Sequence, residues 1–414
     1  MMLRDVLTLP STGKFFLDAT LHDFLADQYD RPFFLYHPEI LRKKVALVRN
    51  AFPAWQLFYS VKANPYSPLL SLLASIVDGF EAASLGELST VDAVKKPHQI
   101  SLLTHPGKSE RTIAAAVQRG ATFINIESVV ELERAQRVAI ARDCDVSVLL
   151  RLNCNGPSKA YGEVMSGSPS KFGIDEEVLP ELQIAPFNRV RVSGVHIYFG
   201  SEAFNANVIL QNVKHAVDVV LKLAQRWDVR HSDFLVDFGL GLGVPYTFFE
   251  PFLDLRSLAR GIDIILHGTG LSSRALELGR YLVSECGIYI SQVVDIKVSR
   301  GKTFVITDGG FHHFSRFAIL GRRHTLLLVD GDPSCYLGPT LQQSYTVTGI
   351  ACTPIDILAD EVHFHREPKI GDFIALLCAG AYGKSLGVAQ FLSHPPADEL
   401  FRAGDTINKQ APYA

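Results

Sequence analysis

Lys62 stands in YSVKANP, at the end of an apolar run of β type. A lysine at the end of a buried strand must snorkel, pair or react, and desolvation lowers its pKa and frees the amine to attack a carbonyl. Much further along, Gly239 and Gly241 of DFGLGLG can expose backbone N–H groups to an anion. Arg280 of LELGR can add a guanidinium to the same anion. Each feature also has a plainer reading: an ion pair for the lysine, a tight turn for the glycines, a surface position for the arginine. Together they describe a site for a phosphorylated carbonyl cofactor, pyridoxal 5′-phosphate (PLP). Glu277, three residues before Arg280, then serves as the carboxylate that keeps a pyridine nitrogen protonated and the ring an electron sink.

Such groups need a frame. Eight β-type runs follow one another: FYSVKA (58–63), FEAAS (80–84), ISLLT (100–104), TFINIE (122–127), SVLLRLN (147–153), VSGVHIY (192–198), FLVDFG (234–239) and LELG (276–279). Between them lie segments with apolar residues at helical spacing, such as Leu41–Phe52, Ser128–Ala141 and Ala206–Ala224. Eight strands with room for a helix after each predict a (β/α)8 barrel, which gathers its active site at the C-terminal ends of the strands. An open doubly wound sheet is the competing arrangement. After residue 280 the chain becomes β-rich and turn-separated, through GIYISQVVDIKVS, TFVITDGG, TLLLVDG, SYTVTGIAC, EVHFHREP and DFIALLCAG. The expected division is residues 1–35 joining a β domain, 36–280 forming the barrel, and 281–414 forming the rest of the β domain.

Composition removes other classes. The 414 residues are 47% hydrophobic and carry a net charge of −3, enough for a sizeable core but without the basic footprint of a nucleic-acid or membrane-surface binder. Six cysteines (Cys144, Cys154, Cys286, Cys335, Cys352, Cys378) are scattered singly, which fits a reducing cytosol and no disulfide framework. The N-terminus has no signal-peptide pattern, and the longest apolar stretch, Leu69 to Val77, is too short to span a membrane. A cytoplasmic enzyme for a small metabolite is the expectation.

Three signals resemble motifs without fulfilling them. Gly239, Gly241 and Gly243 form G-x-G-x-G at the seventh strand, not a dinucleotide fingerprint at the first. GAYGKS has Cys378 where a phosphate-wrapping loop needs its first glycine. His363 and His365 alternate along an expected strand and His312 adjoins His313, but no third ligand is spaced to complete a metal site.

YSVKANP, GFEAASLGEL, HIYFGS, DFGLGLG, ELGRY, ACTPID and GAYG occur in that order, and in them the chain resembles the fold-type III PLP-dependent decarboxylases, the group containing ornithine, arginine and diaminopimelate decarboxylases. The resemblance runs from about residue 33 to about residue 400. It implies an alanine-racemase-like barrel that binds PLP, a β domain built from the C-terminal part plus N-terminal strands, and a head-to-tail homodimer with shared active sites.

Carried over by position, Lys62 is the Schiff-base lysine and Glu277 the partner of the pyridine nitrogen. Glu81 and Glu87 match acidic positions flanking the cofactor and the lysine, and Arg151 an arginine near the phenolic oxygen. Ser201, Gly239, Gly241, Gly279, Arg280 and Tyr382 match cofactor-binding positions, most of them at the phosphate. Cys352, contributed by the partner subunit, would protonate the α-carbon after CO₂ leaves, and Tyr382 would also reach across the dimer.

The departures from the pattern narrow the substrate. Tyr198 stands where the decarboxylases place a histidine against the ring; it can stack but cannot become an imidazolium, and His196 lies two residues earlier. After Cys352, ornithine and diaminopimelate decarboxylases have an acidic residue for the distal ammonium, whereas this chain has Thr353. A neutral hydroxyl pairs poorly with a free distal cation. Arg316 matches an arginine that diaminopimelate decarboxylases use for the distal carboxylate, but its tyrosine companion is replaced by Leu320. Thr353, Arg316 and Asp356 are the expected substrate contacts. CTPID, GAYG and FLSHP look most like decarboxylases of specialised biosynthesis, in siderophore pathways or on carrier-protein-bound amino acids. A basic amino-acid decarboxylase is the alternative. So is a racemase of the same fold, although alanine racemases place an arginine where Glu277 stands. A non-enzymatic PLP-binding protein of this barrel type would lack the β domain. No metal is expected.

Overall fold

The computed structural model describes residues 17–156, 161–247, 250–330 and 340–408. By contacts the chain divides into two units. One comprises Val45–Val244 and Leu253–Tyr281; the other comprises Met1–Lys44, Pro245–Phe252 and Leu282–Ala414. Sequence periodicity gave no sign that Pro245–Phe252, inside the barrel portion, belongs with the β unit, nor that 36–44 does.

The first unit is a closed parallel barrel. Its strands are β1 (Gln56–Ser60), β2 (Gly79–Ala82), β3 (Ile100–Leu103), β4 (Phe123–Ile126), β5 (Val146–Asn153), β6 (Val190–Tyr198), β7 (Leu235–Gly239) and β8 (Arg274–Leu278). Neighbours run β4–β3–β2–β1–β8–β7–β6–β5, and β4 pairs with β5 to close the ring. Closure decides against the open sheet. Among the described residues an α-helix follows every strand except β5, and two of the junctions share a device. Ser84 and Ser128 accept hydrogen bonds from the N–H groups of Glu87 and Glu131, three residues on. The two glutamates reach back to the N–H groups of Ala83 and Glu127. These S-x-x-E caps satisfy orphan donors at the helix starts and fix the chain leaving β2 and β4.

In the second unit, Phe33–Tyr36 pairs antiparallel with Gly287–Ser299 and parallel with Asp398–Ala403. The N-terminal contribution among the described residues is that one strand, preceded by a helix, Ala19–Gln28, where strand character was expected. Phe34, Tyr289 and Phe314 stack in its core, with ring centroids 5.0 Å apart for Phe34–Tyr289 and 6.2 Å for Tyr289–Phe314. Lys44 pairs with Glu285 there, both nearly fully buried. The expected strand through EVHFHREP is instead Ile357–Val362, so His363 and His365 lie beyond it. Their ring nitrogens meet the Leu341 carbonyl and the Asp330 carboxylate, and His363 and His365 do not form a strand face. Cys335 lies outside the described residues. No helix among the described residues is long and apolar enough to cross a membrane.

Candidate active site at the strand ends of the barrel

Side chains on a strand alternate faces, so residues two apart share one. Phe58, Leu102, Leu149, Leu235 and Ala275 form an apolar cluster inside the barrel. Two residues further toward the C-terminal end of each come Ser60, Thr104, Arg151, Asp237 and Glu277. Every one is polar. The interior therefore changes from hydrocarbon to hydrogen-bonding groups within one strand repeat, at the end where this fold does chemistry.

Lys62 does not extend β1, as expected; it sits in a 3-10 turn, Val61–Ala63, directly after it. Its side chain is 39% exposed, with Nζ 3.8 Å from Glu81 Oε1 and 5.7 Å from the centroid of the Tyr198 ring. The Ser60 hydroxyl donates to Glu81 and lies 3.3 Å from Glu277 Oε1. His196 Nε2 lies 3.0 Å from Glu277 Oε2, although its N–H is not aligned along that line. Burial, then the charge of Glu277, push the Glu81 carboxyl up to about 8. Burial also acts to raise Glu277, but His196 and Lys62 outweigh it and bring that carboxyl down to about 2. The surroundings thus act oppositely on the two acids, favouring the proton on Glu81 and the charge on Glu277.

Arg151 lies inside β5, with Nη1 3.3 Å from Glu127 Oε1 and its guanidinium carbon 4.7 Å from the Phe172 ring centroid. Glu127 is itself held by the cap at the start of its helix, so the S-x-x-E device places Arg151 indirectly. Glu87 is committed to the other cap.

A second cluster gathers at β6, β7 and β8. Gly241 has φ +62, and a Cβ there would lie 1.8 Å from the Gly200 carbonyl oxygen, so only glycine fits. A Cβ at Gly239 would come 2.2 Å from the Tyr198 ring, and one at Gly279 2.9 Å from the Ser60 carbonyl. Arg280 Nη1 donates to Glu202 at 2.9 Å, and its Nη2 lies 3.4 Å from Glu163 Oε2. The Ser201 hydroxyl donates to the same Glu163 oxygen at 2.6 Å. Glu202 holds a left-handed φ of 61, costly for a residue with a Cβ. An arginine and a hydroxyl thus converge on one anionic oxygen.

The remaining expected residues belong to the β unit. Cys352 is exposed. Thr353 follows it on a loop, its N–H bonded to the Ala351 carbonyl at 2.7 Å. Asp356 is buried, and its two oxygens accept the N–H groups of Phe311 and Ala351, each at 2.7 Å. Arg316 is 1% exposed, its guanidinium carbon 4.4 Å from the Tyr246 ring centroid, turned into its own unit. Tyr382 has φ 53 on the GAYG turn. Sequence reasoning missed Ser60 and Asp237. The available signal was the i+2 spacing from the apolar floor, which becomes decisive only once the barrel is known to close.

The site fits PLP on this geometry. An amine stands at the mouth, a buried carboxylate with an oxygen lacking an aligned donor stands on the floor, and glycine backbone, hydroxyl and guanidinium form an anion cradle. The family described as pyridoxal-dependent decarboxylase, pyridoxal binding domain, matches residues 39–284. L-glutamyl-[BtrI acyl-carrier protein] decarboxylase of Niallia circulans is 30% identical over 93% of this chain and 92% of its own length. The 2-[(L-alanin-3-ylcarbamoyl)methyl]-2-hydroxybutanedioate decarboxylase of Staphylococcus aureus is 30% identical over 84% and 87%. The structure of Helicobacter pylori diaminopimelate decarboxylase complexed with L-lysine superposes with a TM-score of 0.83 at 27% identity, covering 94% of this chain and 95% of that one. The chain is thus a member of the pyridoxal-dependent decarboxylase family, an enzyme whose cofactor is PLP.

Proposed function

We propose that this enzyme removes the α-carboxylate of an amino acid whose far end is acylated or otherwise conjugated, in specialised biosynthesis of the siderophore or carrier-protein-linked kind. The observation that carries the reading is at the Cys352 loop. Thr353 is neutral, and the nearby carboxylate of Asp356 is already occupied by two backbone N–H groups. Neither offers a counter-ion for a free distal ammonium, and an unpaired buried cation is strongly disfavoured. The two relatives at 30% identity are named for a glutamyl group on a carrier protein and for a conjugated aminoalanine, which supports the same choice.

PLP, when bound, draws electron density from the α-carbon so that CO₂ can depart. In this reading Lys62 supplies the amine that holds the cofactor carbonyl. Glu277 holds a proton at the pyridine nitrogen, Tyr198 packs on the ring, and Arg151 lies toward the phenolic oxygen. Ser201, Gly239, Gly241, Gly279 and Arg280 bind the phosphate. Cys352 of the opposite protomer protonates the α-carbon, and Tyr382 also serves across the dimer. The exposure of the Cys352 thiol suits a group that works on another surface. Arg316, buried against Tyr246, is left out of the substrate contacts. The enzyme works as a cytoplasmic homodimer.

The test is a CO₂-release screen that sets free ornithine, lysine and diaminopimelate beside citryl-diaminopropionate-type conjugates and carrier-bound glutamate. A conjugate or carrier-bound substrate should exceed the free diamino acids by at least about 100-fold in kcat/KM. A free diamino acid turned over best would replace this reading with the basic amino-acid one. Exchange of the α-proton without CO₂ would make the enzyme a racemase.

A further inference from the structure

The barrel floor holds more carboxylate than its donors serve. Asp237 on β7 is 0% exposed, and neither of its oxygens accepts a hydrogen bond. It lies in register with His196 on β6 and Ala275 on β8. One of its oxygens lies within 4.8 Å of a ring nitrogen of His196 and an oxygen of Glu277. Glu277 has the Ser60 hydroxyl and His196 beside it, and Glu81 has Ser60 and Lys62. Asp237 has only acceptors and the imidazole edge. PLP brings one ring N–H, and the proposed function gives that to Glu277.

An ionised Asp237 would therefore sit in the barrel interior with no donor and two more carboxylates near it. A neutral acid reverses the problem. It gains an O–H that serves one of the buried atoms now lacking an aligned partner, a His196 ring nitrogen or Glu277 Oε2. We propose that Asp237 is held as a neutral carboxylic acid whose O–H supports the His196–Glu277 pair, making it a positioning residue that fixes the charge of Glu277. The groups facing it are His196 from β6, Glu277 from β8 and Glu81 from β2. Burial first, then the charges of Glu277 and Glu81, push the Asp237 carboxyl well above the ordinary range, in the same direction. The consequence for Glu277 rests on the proposed function; the protonation of Asp237 does not.

Infrared spectroscopy of the purified holoenzyme tests this without turnover. The carbonyl stretch of a protonated carboxylic acid should persist at pH 7, where ordinary carboxyls are ionised. Part of that band should vanish in Asp237→Asn while a second part, from Glu81, remains. Measurement in a Glu81→Gln background isolates the Asp237 share. The visible absorbance of the bound cofactor adds a second readout. Its pH profile should shift by about one unit in Asp237→Leu and return in Asp237→Asn, whose amide can also donate. A wild-type spectrum with no protonated-acid band at pH 7 overturns the proposal, whether or not any variant folds. Stoichiometric divalent metal in the purified protein also overturns it, because a cation across His196, Asp237 and Glu277 would require Asp237 ionised. Loss of decarboxylation of every tested substrate with the band intact would sink the proposed function and leave this inference standing.

Discussion

Asp237 and Asp356 are both buried, at 0% and 3% exposure, yet their surroundings differ completely. Asp356, in the β unit, has a backbone N–H on each oxygen, and a Cβ at Gly310 or Gly349 would lie 2.5 Å from its carboxylate. Its donors come from the loops it joins, 308–313 and 349–356, so its work is to hold the loop that carries Cys352 and Thr353. Asp237, in the barrel, has no donor at all. A carboxylate that is satisfied belongs to the architecture, and one left unsatisfied beside other titrating groups is available to chemistry. The same distinction separates the two units more widely. The barrel's expected residues converge on shared partners, while those of the β unit are spread over the 349–356 loop, the GAYG turn and the helix Arg316–Leu320.

The comparison can be broken experimentally. Replacing the acid proposed to serve the pyridine nitrogen, Glu277→Gln, should lower kcat by on the order of 100-fold or more, while the melting temperature changes little by comparison. A loss of stability with kcat retained would place Glu277 with Asp356 instead. Asp356→Ala should show the opposite emphasis. Two N–H groups lose a carboxylate acceptor, at a cost of about 2–4 kcal/mol in denaturant unfolding. An unfolding midpoint equal to wild type would show that those bonds are replaceable.

The pH dependence of stability separates the acids further. Asp237 and Glu81 have raised carboxyl pKa values in the folded chain, so the folded state keeps their protons after the unfolded chain has released them. Their contribution is full below the ordinary carboxylate value and is lost as pH rises toward the folded values. Glu277, lowered to about 2, contributes with the opposite sign, present above its ordinary value and lost as pH falls toward 2. Asp237→Asn should therefore gain on wild type as pH rises above the ordinary carboxylate range, by up to about 1.4 kcal/mol per pH unit. A gap that stays constant with pH would mean Asp237 titrates normally. The smallest effect is expected at the anion cradle. Glu163 places a carboxylate on Ser201 and Arg280, where a phosphate would compete with it. Its side chain is 40% exposed and solvent screens it, so Glu163→Gln should tighten PLP only about two- to fivefold in reconstitution titrations. No change in affinity would show that the carboxylate moves aside without cost.

Much of this molecule is legible one residue at a time. The strand runs around Phe58, Phe80, Leu102, Ile124, Leu149, Val195, Val236 and Leu276 all became barrel strands, because a parallel strand covered on both faces needs a near-continuous apolar run. Lys62 stood out because a charge beside such a run demands a partner, Arg280 as a guanidinium for the anion at the glycines, and Glu277 as the carboxylate that the cofactor so inferred would need. Less legible were EVHFHREP, whose alternation suggested a strand where a bend intervenes, and Arg316, whose burial against Tyr246 depends on a segment far away in sequence.

The sequence by itself determined the barrel, the β-rich remainder and the family, and it singled out the residues proposed for the amine and the phosphate cradle, since these rest on local periodicity and on motifs a few residues long. The tertiary structure alone decided which acids are brought together away from water. Ser60, Glu81, His196, Asp237 and Glu277 come from five different strands, and their spacing shows that they meet only once the barrel is known to close. Their protonation depends on donors and charges within a few ångströms in a medium without water, and those neighbours exist only once the barrel has closed.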